Sequence, residues 1–176
     1  MEQVVCNLCG NDETDIFCRR PSGRLVRCRV CGLTYVNPRP ELRDIDAHYN
    51  SDMSSRISYY RMSAKADTRT FSEILALIER HVAPGRLLDV GCNIGTYLEL
   101  GQRHGWRVAG ADINRQAAAY CWQRGFEDVV PGSLSEDSFQ SESFDAVNLA
   151  DVIEHLPDPL CLLRLVHRYT SPGGVI

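Results

Sequence analysis

The sequence lacks any long apolar run. None of its 176 residues falls in a stretch that approaches the roughly 20 apolar residues needed for a membrane-spanning helix. The first ten residues, Met1–Gly10, have neither a basic start nor the apolar stretch of about 7 to 15 residues typical of a secretory leader. We therefore expect a soluble, cytoplasmic protein with no membrane partner.

An excess of positive charge is also missing. The formal net charge of −4 argues against a basic footprint over the whole protein, so nucleic acid is not the expected partner. Arginine is nevertheless concentrated near the N-terminus, in a segment whose only acid is Glu41: Arg19, Arg20, Arg24, Arg27, Arg29, Arg39 and Arg43. We interpret this run as a solvated face that compensates nearby negative charge, with a grip on RNA as the alternative.

The composition changes near Pro38–Pro40. Five of the eight cysteines precede this point, and the next cysteine is Cys92. The length suits one hydrophobic core of moderate size plus a small module that is stabilised by a cross-link or a metal ion. We expect a module over residues 1–40, a helical linker or lid over 41–84 and a larger domain over 85–176. Tyr49, Tyr59 and Tyr60 in the linker are equally suited to a lid or to interface packing.

Two cysteine pairs dominate the first module. Cys6-x-x-Cys9 and Cys28-x-x-Cys31 are separated by 18 residues, a spacing typical of four-cysteine zinc sites. Without a leader a reducing compartment is expected, which disfavours the alternatives of two disulfides or free thiols. Gly10 and Gly32 follow the pairs and suit knuckle turns with positive φ. The prediction is a structural Zn²⁺ site, because four thiolates leave no coordination position open.

The remaining cysteines have no metal-ligand spacing. Cys18 stands alone, and Cys92, Cys121 and Cys161 lie among apolar neighbours and are predicted to be core residues.

From Arg86 onward, short apolar runs alternate with segments of helical period, the pattern of a parallel β-α-β sheet. The predicted strands are Arg86–Val90, Arg107–Ala111, Asp128–Val130 and Phe144–Leu149, and the predicted helices cover 95–104, 114–124 and 159–169, with Gly105 and Gly125 as C-terminal stops. An earlier amphipathic helix over Phe71–Val82 ends before Pro84. Residues 171–174 read as a turn, and Val175 begins a further strand that is cut short at Ile176.

A glycine loop separates the first of these strands from its helix. Gly91 and Gly95 are four residues apart, so the dinucleotide fingerprint fails, and the lysine of a P-loop is lacking. Asp89 lies two residues before the first glycine. The loop therefore fits a ligand with a positive amino group and no phosphate, with Asp89 supplying countercharge directly or through water.

The segment Leu88-Asp89-Val90-Gly91-Cys92-x-x-Gly95 resembles motif I of the class I S-adenosylmethionine-dependent methyltransferases. Further stretches resemble that family in order: Val108-Ala109-Gly110-Ala111-Asp112-Ile113, Gly132-Ser133-Leu134, Ser143-Phe144-Asp145-Ala146-Val147 and Asp151 to Pro159. The N-terminal half, from Cys6 to Pro40, is similar to a bacterial subgroup that carries a zinc ribbon. The resemblance implies an α/β fold, a doubly wound Rossmann-like class I methyltransferase sheet, incomplete here and preceded by a small zinc ribbon.

The resemblance also implies a cofactor, S-adenosyl-L-methionine, and the residues that hold it. These are Asp89, Gly91, Cys92, Asn93, Gly95, Asp112, Ile113, Ser133, Leu134 and Ala150. Asp112 is expected to bind both ribose hydroxyls, and Asn93 replaces the family's usual middle glycine. For Asp89 and Asp112 the alternative is a helix cap or a solvated strand end.

The acceptor end is expected near Asp151 and His155. His155 is the candidate general base toward an acceptor hydroxyl, and its alternative role is to order the loop at a helix start. The subgroup implies methyl transfer to a small-molecule or sugar-type acceptor. The alternatives are an RNA methyltransferase and, because three further strands are expected after Ile176, a truncated non-catalytic zinc-binding interaction module. The sequence carries no prediction of oligomeric state.

Overall fold

A computed structural model describes residues 1–20, 23–41, 43–45 and 54–176. The strands in chain order, β1 to β8, are Thr14–Arg20, Gly23–Cys28, Thr34–Val36, Arg86–Val90, Arg107–Asp112, Val129–Pro131, Phe144–Asn148 and Thr170–Val175. The helices α1 to α4 are Ser54–Glu79, Thr96–Arg103, Arg115–Gln123 and Pro159–Tyr169, and a short 3₁₀ turn spans Ile153–His155. Contacts between Cα atoms divide the chain into two compact units.

The first unit comprises Met1–Tyr49 together with Pro157–Leu160. It contains an antiparallel three-stranded sheet of order β1-β2-β3, with a register irregularity between Ile16 and Cys18. Val26, Cys6 and Cys28 are buried in it. This small interior, with few apolar residues, is the kind that requires an additional staple.

The second unit contains a five-stranded parallel sheet of order β6-β5-β4-β7-β8. Successive residues of β4 alternate between its faces: Leu87 packs in a cluster with Leu75 and Tyr97, whereas Leu88 packs with Phe144 and Tyr169. Both faces of the sheet are therefore covered, which explains the near-continuous apolar strands. The prediction of a Rossmann-like α/β sheet is confirmed, and β4 has the predicted bounds.

Helix α1 begins at Ser54, 17 residues before the first residue of the predicted amphipathic pattern, Phe71. The earlier part is polar and has no apolar period by which a sequence could reveal it. Phe71, Ile74 and Ile78 do pack against the core, as that pattern predicts. Tyr60 is half-buried on α1, whereas Tyr49 and the side chain of Tyr59 lie outside the described residues.

The predicted turn at 171–174 lies inside strand β8. β8 pairs with β7 at Phe144↔Thr170 and again at Ala146↔Val175, so residues 171–174 form an irregularity between two points of pairing. Gly173 has a φ of 84°, which a regular strand does not contain.

The core prediction is confirmed for Cys92 and Cys121, which are buried, and is wrong for Cys161, which is exposed. Leu162, Leu165, Val166 and Tyr169 form the inward stripe of α4. Cys161 is one residue away from that stripe and so points outward. Gly105 and Gly125 end their helices with a φ of 89° each, as predicted.

Among the described residues, no helix combines the length and the apolar character that crossing a membrane requires.

Candidate functional site

The candidate site lies at the carboxyl ends of the parallel strands. β4 is flanked by β5 on one side and β7 on the other, and the chain crosses from one side to the other between β6 and β7. In open α/β sheets ligands bind at such a switch point, outside the carboxyl ends of the strands. The residues that follow β4, β5 and β7 are therefore the candidates.

The loop after β4 is held against β5 by its backbone. The N–H groups of Gly91 and Cys92 both donate to the carbonyl of Ala111, at 2.7 and 3.0 Å, and Gly95 N–H donates to the Cys92 carbonyl. Gly91, Asn93 and Gly95 have φ values of 76°, 49° and 80°. Asn93, in the place of the family's usual middle glycine, thus adopts the left-handed conformation, which asparagine visits more readily than most residues.

Two glycines of the site are required by close packing. A Cβ on Gly91 would collide with Cγ2 of Val152, so the segment after β7 packs directly over the glycine loop. A Cβ on Gly110 would lie 2.8 Å from Sγ of Cys92. The side chain of Cys92 is therefore turned into the core, and only its backbone faces the site.

Asp112, the last residue of β5, receives two backbone hydrogen bonds. Asn93 N–H donates to Oδ2 and Asn114 N–H donates to Oδ1, each at 2.8 Å. Burial raises the pKa of this carboxyl, while the two N–H groups lower it. Each carboxylate oxygen retains a lone pair, so the side chain can still accept two hydrogen bonds from a ligand.

Asp89 is buried, at 4% exposure, and burial raises its pKa to about 7. Asn148, at the end of β7, donates from Nδ2 to Oδ1 of Asp89 at 2.7 Å. The same amide accepts a hydrogen bond from Ala150 N–H at 3.3 Å. Asn148 was not among the predicted site residues, because its only signal in the sequence is that of a polar residue near the end of the apolar run Phe144–Leu149.

Within the part of the chain that the structure describes, two buried polar atoms of this region have no hydrogen-bond partner, Oδ1 of Asn93 and the hydroxyl of Tyr97. Tyr97 lies in the first turn of α2, and the charge of Asp89 contributes to its raised pKa after burial itself. Buried polar atoms without partners are costly, and unmet atoms beside a loop of this type fit a polar ligand or ordered water.

The other predicted site residues lie nearby with differing exposure. The turn after β6 is joined to β5 because Gly132 N–H donates to the Asp112 carbonyl at 2.7 Å. Ser133 in this turn is exposed, whereas Leu134 packs against the core. Ile113 and Ala150 are half-buried.

The predicted catalytic pair lies in the segment after β7. Asp151 and His155 are both exposed, and Asp151 has a φ of 56°. His155 closes the 3₁₀ turn, where its N–H donates to the Val152 carbonyl at 3.0 Å. The structure joins this segment to the site through Val152 over Gly91 and through Asn148.

The four predicted metal ligands form a cluster within the first unit. The sulfurs of Cys6, Cys9, Cys28 and Cys31 all lie within 4.8 Å of one another, with 3.4 Å between Cys6 and Cys31 and 3.5 Å between Cys9 and Cys28. Tetrahedral Zn–S bonds of about 2.3 Å place sulfurs about 3.8 Å apart, so these separations fit a metal centre.

Backbone geometry prepares the cluster for thiolates. Gly10 N–H donates to the Cys6 carbonyl and Gly32 N–H to the Cys28 carbonyl, closing two matching turns. Gly10 and Gly32 have φ values of 74° and 78°, as predicted for knuckle turns. The backbone N–H of Cys31 lowers the pKa of Cys28 to about 6, which favours its thiolate, whereas desolvation and the neighbouring sulfurs raise the pKa of Cys9 and of Cys31.

The five-stranded parallel sheet, its flanking helices and the glycine loop at its carboxyl edge define a Rossmann-like methyltransferase fold. A family described as "Methyltransferase domain" matches residues 60–176. The chain belongs to this family.

Comparison with known proteins agrees with this assignment. The chain is 37% identical over 102 residues to a protein named "Ubiquinone biosynthesis O-methyltransferase" from Ruegeria pomeroyi, covering 55% of this chain and 41% of that protein. It thus spans about two fifths of the length of the curated relatives it matches.

Two solved structures are similar. A SAM-dependent methyltransferase from Archaeoglobus fulgidus matches with a TM-score of 0.50 and 27% identity, covering 64% of this chain and 53% of that one. A phosphoethanolamine-type N-methyltransferase from Haemonchus contortus, solved with S-adenosylhomocysteine, has a TM-score of 0.56 over 81% of this chain and 36% of its own. At 22% identity the second likeness shows the fold alone.

Proposed function

We propose that this protein binds S-adenosyl-L-methionine and transfers its methyl group to a small-molecule or sugar-type acceptor. The observation that carries the proposal is Asp112: its carboxylate is fixed by the N–H groups of Asn93 and Asn114 and keeps two acceptor positions. A vicinal diol such as that of ribose supplies two donors at the matching spacing. Family membership and the similarity to the SAM-dependent methyltransferase from Archaeoglobus fulgidus support the same cofactor.

When bound, the cofactor would supply a methyl group on a sulfonium sulfur: a lone pair of the acceptor atom would form the new bond to the methyl carbon, and the C–S bond would break with its electron pair left on sulfur. The residues of this chain act mainly by position. Asp112 fixes the ribose, the Gly91–Gly95 loop lets backbone approach the ligand, and Asp89 faces the amino end. Ile113, Ser133 and Leu134 line the adenine side.

His155 is the proposed general base. Its imidazole is exposed on the segment that packs over Gly91, so it can reach an acceptor hydroxyl and take up its proton. Asp151 and Ala150 border the same position. Acceptors with a hydroxyl are supported by the O-methyltransferase name of the relative from Ruegeria pomeroyi.

The test is calorimetric titration with S-adenosylhomocysteine. The wild-type protein binds, and Asp112→Asn loses about tenfold to a hundredfold in affinity, because hydrogen bonds to a charged acceptor contribute about 1.5–3 kcal/mol. The matched control is Asp128→Asn, since Asp128 also neighbours β6 but pairs with Arg86 at the opposite end of the strands. Failure of the folded wild-type protein to bind favours a non-catalytic interaction module.

We also propose that the Cys6, Cys9, Cys28 and Cys31 cluster holds a structural Zn²⁺ ion in a module over residues 1–40, separate in role from a cofactor domain over 85–176. The sulfur separations and the paired glycine turns support it. No coordination position remains for substrate, so the ion stabilises the small sheet and takes no part in catalysis.

Metal analysis tests this proposal. The protein is expected to hold about one Zn²⁺ per chain. Cys28→Ser loses it, while Cys18→Ser, which removes a thiol from the same sheet but outside the cluster, retains it. Equal zinc content in the two variants would contradict the site.

RNA as the acceptor is less well supported. Most of the arginine run has partners nearby: Arg24 and Arg27 donate to backbone carbonyls, and Arg29, Arg39 and Arg43 pair with acids. Such arginines are less available to grip a phosphate backbone.

A further inference from the structure

Asn148 and Asp89 are paired across neighbouring strands. They lie directly opposite in the parallel register of β7 and β4, and both are buried, at 6% and 4% exposure. The amide Nδ2 of Asn148 donates to Oδ1 of Asp89 at 2.7 Å. A buried carboxylate with a fixed donor on one oxygen has its other oxygen aimed in a defined direction.

Asn148 uses both ends of its amide. Its Oδ1 accepts a hydrogen bond from Ala150 N–H at 3.3 Å, so one side chain joins the acid of β4 to the segment that leads to Asp151. A carboxamide is one of the few short side chains that offer a donor and an acceptor at once. Leucine has the same branching at Cγ but neither group, and aspartate would place a second carboxylate against the first.

Among the described residues, the titratable groups that interact electrostatically with Asp89 are acids. Asp112 on β5 raises the pKa of Asp89, and the charge of Asp89 in turn raises the pKa of Cys92 in the loop and of Tyr97 on α2, on which Glu79 at the end of α1 also acts. An acid in such surroundings favours a positively charged ligand, because a cation is the counter-ion that these neighbours do not supply.

We propose that Asn148 is a positioning residue that orients Asp89 toward the ammonium group at the amino-acid end of the bound cofactor and ties that contact to the Ala150–Asp151 segment. The inference rests on the proposed function, since it concerns one end of the proposed ligand. Asn148 itself touches the acid and the backbone and has no chemical role in transfer.

Two ligands separate this role from a general structural one. S-adenosylhomocysteine carries the amino-acid end, whereas 5′-methylthioadenosine shares the adenosine and the thioether and lacks it. Asn148→Leu is expected to lower the affinity for S-adenosylhomocysteine by about tenfold or more, because one charge-assisted hydrogen bond is lost at the amino-acid end. The affinity for 5′-methylthioadenosine, which lacks that end, should change by less than about twofold. Asp112→Asn weakens both ligands.

The pH profile gives a second readout. In the wild-type protein, affinity for S-adenosylhomocysteine rises from about pH 6 to about pH 8 as Asp89 ionises. In Asn148→Leu the midpoint moves to higher pH, because the amide that favours the carboxylate is gone. A merely structural defect would lower affinity without moving this midpoint.

Asn148→Ser guards against misfolding, since a serine hydroxyl is small and retains one donor; it is expected to lose less affinity for S-adenosylhomocysteine than Asn148→Leu. Equal losses for the two ligands, or no loss for S-adenosylhomocysteine, would overturn the role of Asn148 while leaving the proposed function intact. If the folded wild-type protein binds neither ligand, the proposed function fails, and this inference with it.

Discussion

Val152 occupies the space that a side chain on Gly91 would need. Glycine is thus required at this position for two reasons: its φ of 76° favours glycine, and Val152 leaves no room for a side chain. Through this contact the glycine loop and the segment that carries Asp151 and His155 are held as one surface.

The first prediction concerns this contact. Gly91→Ala is expected to destabilise the protein by about 1–2 kcal/mol from the left-handed backbone and about 1–3 kcal/mol more from the collision. Urea unfolding measures the loss. Gly105→Ala is the matched control, because Gly105 has a φ of 89° and no neighbour within 4 Å of an added Cβ.

A double variant, Gly91→Ala with Val152→Ala, separates the cost of the collision from the cost of the backbone conformation. Val152→Ala removes the colliding methyl groups, so the double variant should recover most of the collision cost. A double variant whose losses simply add would show that Val152 is not the obstacle.

The second prediction concerns pH. Burial raises the pKa of Asp89 from 3.8 to about 7 in the folded state. Between these two values the unfolded chain gives up its proton and the folded protein keeps it, so this group's contribution to stability is full at low pH and is lost as pH rises through about 7. The loss is on the order of 4 kcal/mol.

Asp89→Asn isolates that contribution. The free energy of unfolding of the wild type minus that of the variant should fall from about pH 4 to about pH 7.5 and stay constant at higher pH. A difference that does not vary with pH would show that Asp89 is ionised in the folded protein throughout.

The third prediction concerns the end of α1. Glu79 accepts a hydrogen bond from Trp106 Nε1 at 3.1 Å and contacts His104 Nδ1 at 3.2 Å. Because Trp106 is buried, Glu79→Ala leaves its N–H without a partner and should cost about 1–3 kcal/mol. Thermal or urea unfolding checks the value.

Two further variants on α1 serve as comparisons for Glu79→Ala. Glu79→Gln keeps an oxygen for Trp106 and should cost less than Glu79→Ala. Glu73→Ala removes an exposed glutamate that pairs with Arg69 along the helix, and its expected cost is about 0–0.5 kcal/mol. Similar costs for Glu73→Ala and Glu79→Ala would mean that the bond to Trp106 contributes little.

The sequence predicts the parallel sheet well because buried strands are short apolar runs bounded by turn residues. β4 has its predicted bounds, and β5 and β6 end one residue later than predicted. The fold of the second unit follows from patterns of this local kind, as does the left-handed backbone of Asn93.

Long-range pairing has no such signal. Asn148 and Asp89 are 59 positions apart, and their hydrogen bond depends on strand order, which puts β7 beside β4. The start of α1 at Ser54 was missed since a polar helix has no apolar stripe. Cys161 was wrongly placed in the core because apolar neighbours in sequence do not fix which face of a helix a residue takes.

The packing of Cys92 against Gly110 has a consequence for how this sequence can diverge. With Sγ of Cys92 2.8 Å from the place of a Cβ on Gly110, a larger residue at 110 is acceptable only beside a smaller one at 92. In homologues, substitutions at position 110 should therefore be accompanied by substitutions at position 92. A library that randomises the loop while holding position 110 as glycine will sample folded proteins more densely than one that varies both independently.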